Sequence, residues 1–304
     1  GIFVDAVIVA EPELHMQNYG TQYNPALSGE FRVPLESLPP PPLDEKKVIS
    51  RRAAMEIMPN SVVNLGLGLS DMIGAVANEE KIQDLITLTV DPGVFGGVPL
   101  GGPDFGAAIN FSASIEHPSQ FDFIDGGGLD SACLGFAECD GTGNINASRF
   151  ANRVTGCGGF INISQNSKKV VFVGTFTSGG LEAEVGNGRI AIKKEGKFSK
   201  MVAEVSQITF SGHRVAEDEQ EIYYVTERCV FKLSADGLEL SEVAPGIDLE
   251  KDILDRMPFA PVVGDYATME PAIFAPPPLG LRDRMLDLRI EAGSVTTRKR
   301  APYS

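Results

Sequence analysis

The chain has 304 residues, with 26 Lys and Arg against 41 Asp and Glu for a formal net charge of −15, and 43% hydrophobic residues beside 33 Gly and 20 Pro. That composition excludes disorder as the main state and provides for one large domain or two smaller ones, each with a sizeable core. The acidic balance argues against nucleic acid as a partner, because the only dense basic run is Arg298-Lys299-Arg300 near the C-terminus, which reads as a solvated end.

The chain opens at Gly1 and runs straight into Ile2-Phe3-Val4-Asp5-Ala6-Val7-Ile8-Val9-Ala10, a composition that predicts a buried strand over 1–10. A domain rarely begins inside a strand, so the expectation is a processed piece, or a chain whose sheet partner lies on another polypeptide. Residues 11–47 read as an irregular connector ending in Pro39-Pro40-Pro41-Pro42, which continues neither a helix nor a ladder, and a domain boundary is placed there, dividing 1–47 from 48–304. Interleaved apolar and charged positions predict a helix over 45–58, stopped before Pro59. A buried strand over 61–68 then turns at glycine into a helix over 70–76. Further strands are predicted at 85–90, 121–124, 132–140, 160–163, 170–174, 189–192, 208–211, 222–226 and 230–233. Several are short Val, Ile and Phe runs with no polar face, as strands covered on both sides require. The segment from 195 to 240 alternates more like an antiparallel portion. The fold class is therefore α/β: a layered open sandwich with a largely parallel central sheet.

No run of about 18 apolar residues is present and no cleavable leader is expected, so no membrane partner is expected and the cytoplasm, or an organelle matrix, is the expected compartment. Cys133, Cys139, Cys157 and Cys229 form no C-x-x-C pair and read as reduced and structural. His15, His117 and His213 are too scattered for an H-E-x-x-H site, which makes chemistry by a carboxylate the better expectation.

Glycines gather at predicted strand ends: Gly66 and Gly68, Gly93 with Gly96-Gly97, Gly101-Gly102, Gly126-Gly127-Gly128, Gly156 with Gly158-Gly159, and Gly179-Gly180. Such positions let a ligand approach the main chain, and the ends of strands in an open α/β sheet form the ligand crevice. Gly66 does not open a dinucleotide fingerprint, since Ser70-Asp71 stands where the third glycine belongs, and a P-loop is absent. The strand over 85–90 delivers Asp91 to its end, and Pro92-Gly93 turns the chain behind it, so the carboxylate either caps that turn or projects into the crevice. Glu227 reads as a structural partner of Arg228, Asp125 and Asp130 as turn-fixing groups, Cys157 as unreactive, His117 as a loop residue, and the acidic run 217–221 as a solvated loop.

Taken together, several blocks resemble the family I coenzyme A transferases of the acetate or propionate type, which fuse both halves in one chain. They are Val63-Asn64-Leu65-Gly66-Leu67-Gly68, the Asp91-Pro92-Gly93 turn followed by Gly96-Gly97-Val98-Pro99, Gln120-Phe121-Asp122-Phe123-Ile124-Asp125-Gly126-Gly127-Gly128, Gly158-Gly159-Phe160-Ile161-Asn162-Ile163, and Val225-Thr226-Glu227-Arg228-Cys229. The likeness spans nearly the whole chain. It implies that 1–47 ends the family's first domain with its linker and that 48–304 is the second domain, carrying the catalytic carboxylate. The N-terminal half would then be another chain or a fragment, in an oligomer. It further implies ping-pong transfer of CoA between a short-chain acyl-CoA and a small carboxylate, through an acyl-anhydride and an enzyme–CoA thioester. CoA is substrate, and no metal or cofactor is implied.

The position matching the family's nucleophilic glutamate is Asp91. By the same resemblance Gly158 and Gly159 line the acyl and thioester region, Gly126, Gly127 and Gly128 border the CoA channel, and Asn64, Gly66 and Gly68 shape the floor. Aspartate is shorter by a methylene, on the order of 1 Å, a displacement that can cost about 10²-fold in rate. Three outcomes stay open: a transferase working through an aspartyl thioester, an acyl-CoA hydrolase with Asp91 as general base, or a weakened chain. A non-catalytic partner subunit is a further alternative.

Overall fold

A computed structural model describes residues 3–150, 153–213 and 220–288. Helices α1 (Glu45–Ala54), α2 (Met72–Glu79), α3 (His117–Asp125), α4 (Phe160–Asn166) and α5 (Leu281–Asp287) accompany the sheet. Its strands are β1 (Val62–Leu65), β2 (Thr87–Val90), β3 (Val94–Phe95), β4 (Ala113–Ser114), β5 (Ser131–Gly135), β6 (Lys169–Val173), β7 (Glu221–Val225), β8 (Cys229–Ser234), β9 (Gly237–Val243) and β10 (Ala267–Thr268). Among the described residues these form one ten-stranded sheet in the order β10-β9-β8-β7-β6-β5-β1-β2-β3-β4.

The central strands β2, β1, β5, β6 and β7 are parallel, with Val63 opposite both Leu88 and Ser131, and Val171 opposite both Cys133 and Tyr223. The pairs β7–β8 and β8–β9 are antiparallel, as the alternation after residue 195 predicts, and β3 and β4 form an antiparallel edge on the other side. This is the expected α/β architecture with a largely parallel core.

Alternation along each strand divides the interior in two. Val63, Leu65, Leu88 and Val90 face α1 and α2 in one apolar core, while Ala132, Leu134, Val170 and Phe172 face Ile124 of α3 and Phe160 and Ile163 of α4 in the other. Helix α1 starts where the Asp44 side chain accepts from Lys47 N (2.9 Å), inside the predicted boundary at 47. Its Arg52 holds both carboxylate oxygens of Glu242 on β9 (2.9 and 2.6 Å) and Oε1 of Glu56 (2.8 Å), which locks the helix onto the sheet.

Five predicted strands are corrected. Residues 3–10 carry no strand, and Phe3, Val7, Ile8 and Val9 are exposed: the segment has no neighbouring ladder among the described residues, and a strand cannot exist unpaired. The run 121–124 lies in α3, which Pro118 helps to open, and its buried Gln120 and Ile124 follow a helical spacing. The run 160–163 lies in α4, where Phe160, Ile163 and Ser164 face inward. Residues 208–211 make a single bridge, from Phe210 to Ile145. The predicted strand 132–140 breaks after Gly135, and Glu138–Cys139 pairs instead with Ile145–Asn146. Short apolar runs fit helix and strand equally, so the helical outcomes reflect capping and packing rather than composition.

Gly1, Ile2, Glu217, Asp218, Glu219 and the basic tail at 298–300 lie outside the described residues, and Glu221 opens β7. No helix among the described residues is long and apolar enough to cross a membrane. Glu227 is wholly buried: one oxygen accepts from Arg228 Nε (2.8 Å) and the other from Phe176 N (2.8 Å). Arg228, equally buried, also donates to Glu195 and to the Asp252 carbonyl (both 2.9 Å) and lies over the Phe176 ring. The pair is structural, as read from sequence. Replacing Arg228 with Met leaves a buried carboxylate without its counter-ion, and chemical denaturation of that variant is expected to show a loss of about 3–5 kcal/mol.

Candidate active site

The connection leaving β1 passes to α2 on one face of the sheet, whereas the connections into β5 and β6 run through α3 and α4 on the other. Strands β1 and β5 are neighbours, so the loops beyond their C-terminal ends diverge and open a crevice, the place where ligands bind in open α/β sheets. A cavity of about 540 Å³ lies there. Its lining includes Gly66 and Gly68 after β1, Asp91 after β2, Leu134 to Phe136 at the end of β5, Gly156 to Phe160 leading into α4, and Lys200.

Asp91 continues β2 by one residue on the face that carries Thr89, towards α3 and α4. Gly159 presses against it. A Cβ built on Gly159 would stand 2.9 Å from Asp91 Oδ2 and 2.6 Å from Phe121 Cζ, so only glycine permits this approach of main chain to carboxylate. The other oxygen, Oδ1, is buried without a hydrogen-bond partner. Burial pushes the carboxyl of Asp91 upward. The Asn64 amide, main-chain N–H and the charge of His117 pull it back only in part. His117, read as a loop residue, in fact opens α3, with its ring against Phe121 (centroids 4.9 Å apart).

Beneath Asp91 lies a buried polar layer. Asn64 on β1 pairs in register with Thr89 on β2, and Gln120 Nε2 of α3 donates to Thr89 Oγ1 (2.9 Å). Both amides are fully buried, yet Asn64 Nδ2 and Oδ1 and Gln120 Oε1 close no hydrogen bond. Asn64 thus lies near enough to influence Asp91 without completing a bond to it. Buried polar groups are nearly always paired, and four unpaired atoms on three adjoining residues mark a site organised around something other than its own hydrogen bonds.

The glycines divide into two groups. Gly66, Gly68, Gly158 and Gly159 line the cavity with Asp91, and Asn64 lies under it. Gly158 holds φ +51°, and none of the hydrogen bonds among the described residues uses its N–H. Gly126, Gly127 and Gly128 are not brought to the cavity: they terminate α3 and lead into β5, where Asp130 binds Val62 N (2.9 Å) at the opposite end of the parallel strands. Asp125 accepts from Asn162 and Asn166 of α4, and so braces two helices. Cys157 is exposed on the cavity rim.

Sequence reasoning did not single out Gln120, Phe121 or Lys200. The i, i+3, i+4 spacing of His117, Gln120 and Phe121 was the available signal for the first two. Lys200 carried none, because a lone lysine after a short strand reads as surface.

No family model matches the chain. Caffeate CoA-transferase of Acetobacterium woodii is 47% identical over 282 residues, covering 90% of this chain and 54% of that protein. Acyl-CoA transferase YdiF of Escherichia coli O157:H7, solved as the apoenzyme, superposes with a TM-score of 0.79 at 42% identity over 86% of this chain and 49% of that one. The same enzyme has been solved as a thioester complex with CoA, at a TM-score of 0.75 over 80% of this chain and 46% of that one. The chain spans about half the length of these relatives. At these identities over most of its length, the chain belongs to the family I coenzyme A transferases.

Proposed function

We propose that the chain contributes the acyl-accepting carboxylate of an enzyme that moves CoA from a short-chain acyl-CoA to a small carboxylate, with Asp91 as nucleophile. The observation that carries this reading is the carboxylate itself: part-buried at the end of β2, pressed against Gly159, with one oxygen unpaired in a cavity edged by glycines. A desolvated carboxylate lacking hydrogen bonds keeps more of its nucleophilicity than a solvated one.

The steps balance without a redox partner. An Asp91 oxygen attacks the thioester carbonyl carbon, the C–S bond breaks, and an acyl–aspartyl anhydride forms as CoA thiolate leaves. The thiolate then attacks the aspartyl carbonyl, releasing the first carboxylate and leaving an aspartyl–CoA thioester. An acceptor carboxylate attacks that carbonyl to give a second anhydride and free thiolate, which takes the new acyl group and restores Asp91. Each addition places negative charge on a carbonyl oxygen, and the N–H of Gly158, which no hydrogen bond among the described residues uses, is a donor suited to it. CoA serves as substrate and no cofactor is required. The other half of the fused relatives, as a separate chain or fragment, is the expected partner in an oligomer, in keeping with the share of their length that this chain spans.

Incubation with an acyl-CoA followed by borohydride reduction or hydroxylamine, then peptide mass analysis, is expected to mark Asp91. Steady release of free thiol with no mark would replace transfer by hydrolysis with Asp91 as general base, and neither signal would leave a silent subunit. Replacing Asp91 with Ala should lower turnover by about 10⁴-fold or more. In Gly159→Ala the added methyl displaces the Asp91 carboxylate and the Phe121 ring, and the rate of marking should fall by about 10²-fold.

A stability measurement tests the burial independently. The folded state holds the Asp91 proton to higher pH than the unfolded chain, so above that raised pKa the ionised group opposes folding. Asp91→Asn should therefore melt at a higher temperature than wild type at pH 7. The gap should close as pH falls through the folded pKa towards the ordinary carboxylate range, and a lower melting temperature at pH 7 would contradict the burial.

A further inference from the structure

The chemistry assigned to Asp91 leaves one charged group of the cavity unused. Lys200 follows the short strand Phe198–Ser199, and its main chain is fixed on both sides, with N donating to Phe176 O (3.2 Å) and O accepting from Cys139 N (2.8 Å). Its ammonium donates to Phe136 O (3.0 Å) and sits 5.1 Å from the centre of the Phe136 ring. Among the described residues it forms no ion pair. Glu227, the acid whose charge acts on it, is already occupied by Arg228 and Phe176 N.

An ammonium has three N–H donors, and this one spends a single donor on the described residues. A cation held beside apolar surface without a counter-ion is costly, and an anionic ligand offsets that cost. Burial pushes Lys200 down to about 8, which leaves it charged at pH 7.

Its place in the cavity gives the ligand a length. Asp91 follows β2, whereas Lys200 is bonded to the carbonyl after β5 and would stand 3.1 Å from a Cβ on Gly174, after β6. Two to three strand spacings separate those ends, roughly 10–15 Å. The cavity that both line also takes apolar side chains from Leu67, Leu134, Phe160, Ile163 and Val173. A reacting carbonyl at Asp91 and a hydrogen bond at Lys200 each take about 3 Å, which leaves room for a short carbon chain.

We infer that Lys200 determines acyl specificity by receiving the distal carboxylate of a short ω-carboxyacyl group whose thioester carbonyl lies at Asp91. This rests on the reading of Asp91 as acyl acceptor and adds the class of acyl group. The carbon chain crosses the apolar lining, and the far carboxylate takes the two free ammonium donors.

Glutaryl-CoA and valeryl-CoA have acyl groups of equal carbon count and differ in the terminal carboxylate, so their kcat/KM ratio reads the subsite. Wild type should favour glutaryl-CoA by about tenfold or more. Lys200→Met keeps the stem over Phe136 and should lose that preference, and Lys200→Arg, which keeps the charge, should retain most of it. A ratio in Lys200→Met equal to that of wild type overturns the inference. Direct binding separates the two readings: glutarate should raise the melting temperature of wild type more than valerate does, and this difference should vanish in Lys200→Met. If neither borohydride nor hydroxylamine marks Asp91 but the Lys200-dependent glutarate shift is present, the nucleophile assignment fails and the subsite stands. If Asp91 is marked and the shift is absent, the subsite fails alone.

Discussion

The structure depends on a carboxylate held where neither water nor protein fully satisfies it. Asp91 has one oxygen against the main chain of Gly159 and the other unpaired, above the Asn64 amide and the Gln120 Oε1, which also lack partners. Each unpaired buried polar group costs roughly 1–3 kcal/mol, so this cluster is a local deficit that the remainder of the fold must carry. It is carried by two apolar cores on opposite faces of the sheet and by buried ionic ties away from the crevice. Arg52 with Glu242 and Glu56 is one such tie, and Arg228 with Glu227 is another. Those buried charges remote from the crevice are paired, whereas among the described residues Asp91 and Lys200, which line it, form no ion pair.

That separation follows from topology. Parallel strands direct their C-terminal ends to one edge, and the loops beyond β1 and β5 leave towards opposite faces, so the crevice between them needs no insertion to form it. Towards the crevice, the side chains on β1 and β2 that face α3 are Asn64 and Thr89, polar where the flanking Val63 and Leu88 are apolar. A one-residue slip in register would bury Asp91 against α1 and α2 and turn the polar layer into the other core. Register is thus what makes the site, and the in-register parallel pairing of β1 with β2 and β5 fixes it.

Much of this was legible in the sequence, for identifiable reasons. The strand ending in Asp91-Pro92-Gly93 announces a carboxylate at a sheet edge, and Gly66, Gly68, Gly158 and Gly159 do reach the same cavity. Gly126, Gly127 and Gly128 carried an equally strong glycine signal and stand at the far end of the strands, because glycine marks the ends of helices as readily as ligand loops. The same ambiguity hid α3 and α4: short apolar runs have no resolvable period, and only Pro118 and the burial of Gln120 and Ile124 settle the matter. Residues 3–10 have the composition of a strand without a partner strand among the described residues, a case in which propensity is real but pairing is not local. Lys200 was invisible because its importance lies in what it lacks, and the absence of an ion pair is a property of three dimensions.

The two unpaired charges explain each other. Burial raises the proton affinity of Asp91 and lowers that of Lys200, so each is pushed towards neutrality, and a direct pair would relieve both. The fold places them two to three strand spacings apart, too far for a hydrogen bond, in a cavity that apolar side chains also line. Had they met, the carboxylate would be a stable, weakly nucleophilic member of an ion pair and the ammonium would be closed to ligands. Kept separate, both charges remain available to one molecule long enough to touch each of them, with its electrophilic carbon at one end and its negative charge at the other. The separation therefore couples reactivity to recognition: the strand order that denies Asp91 a counter-ion also sets the distance over which an acyl group is measured.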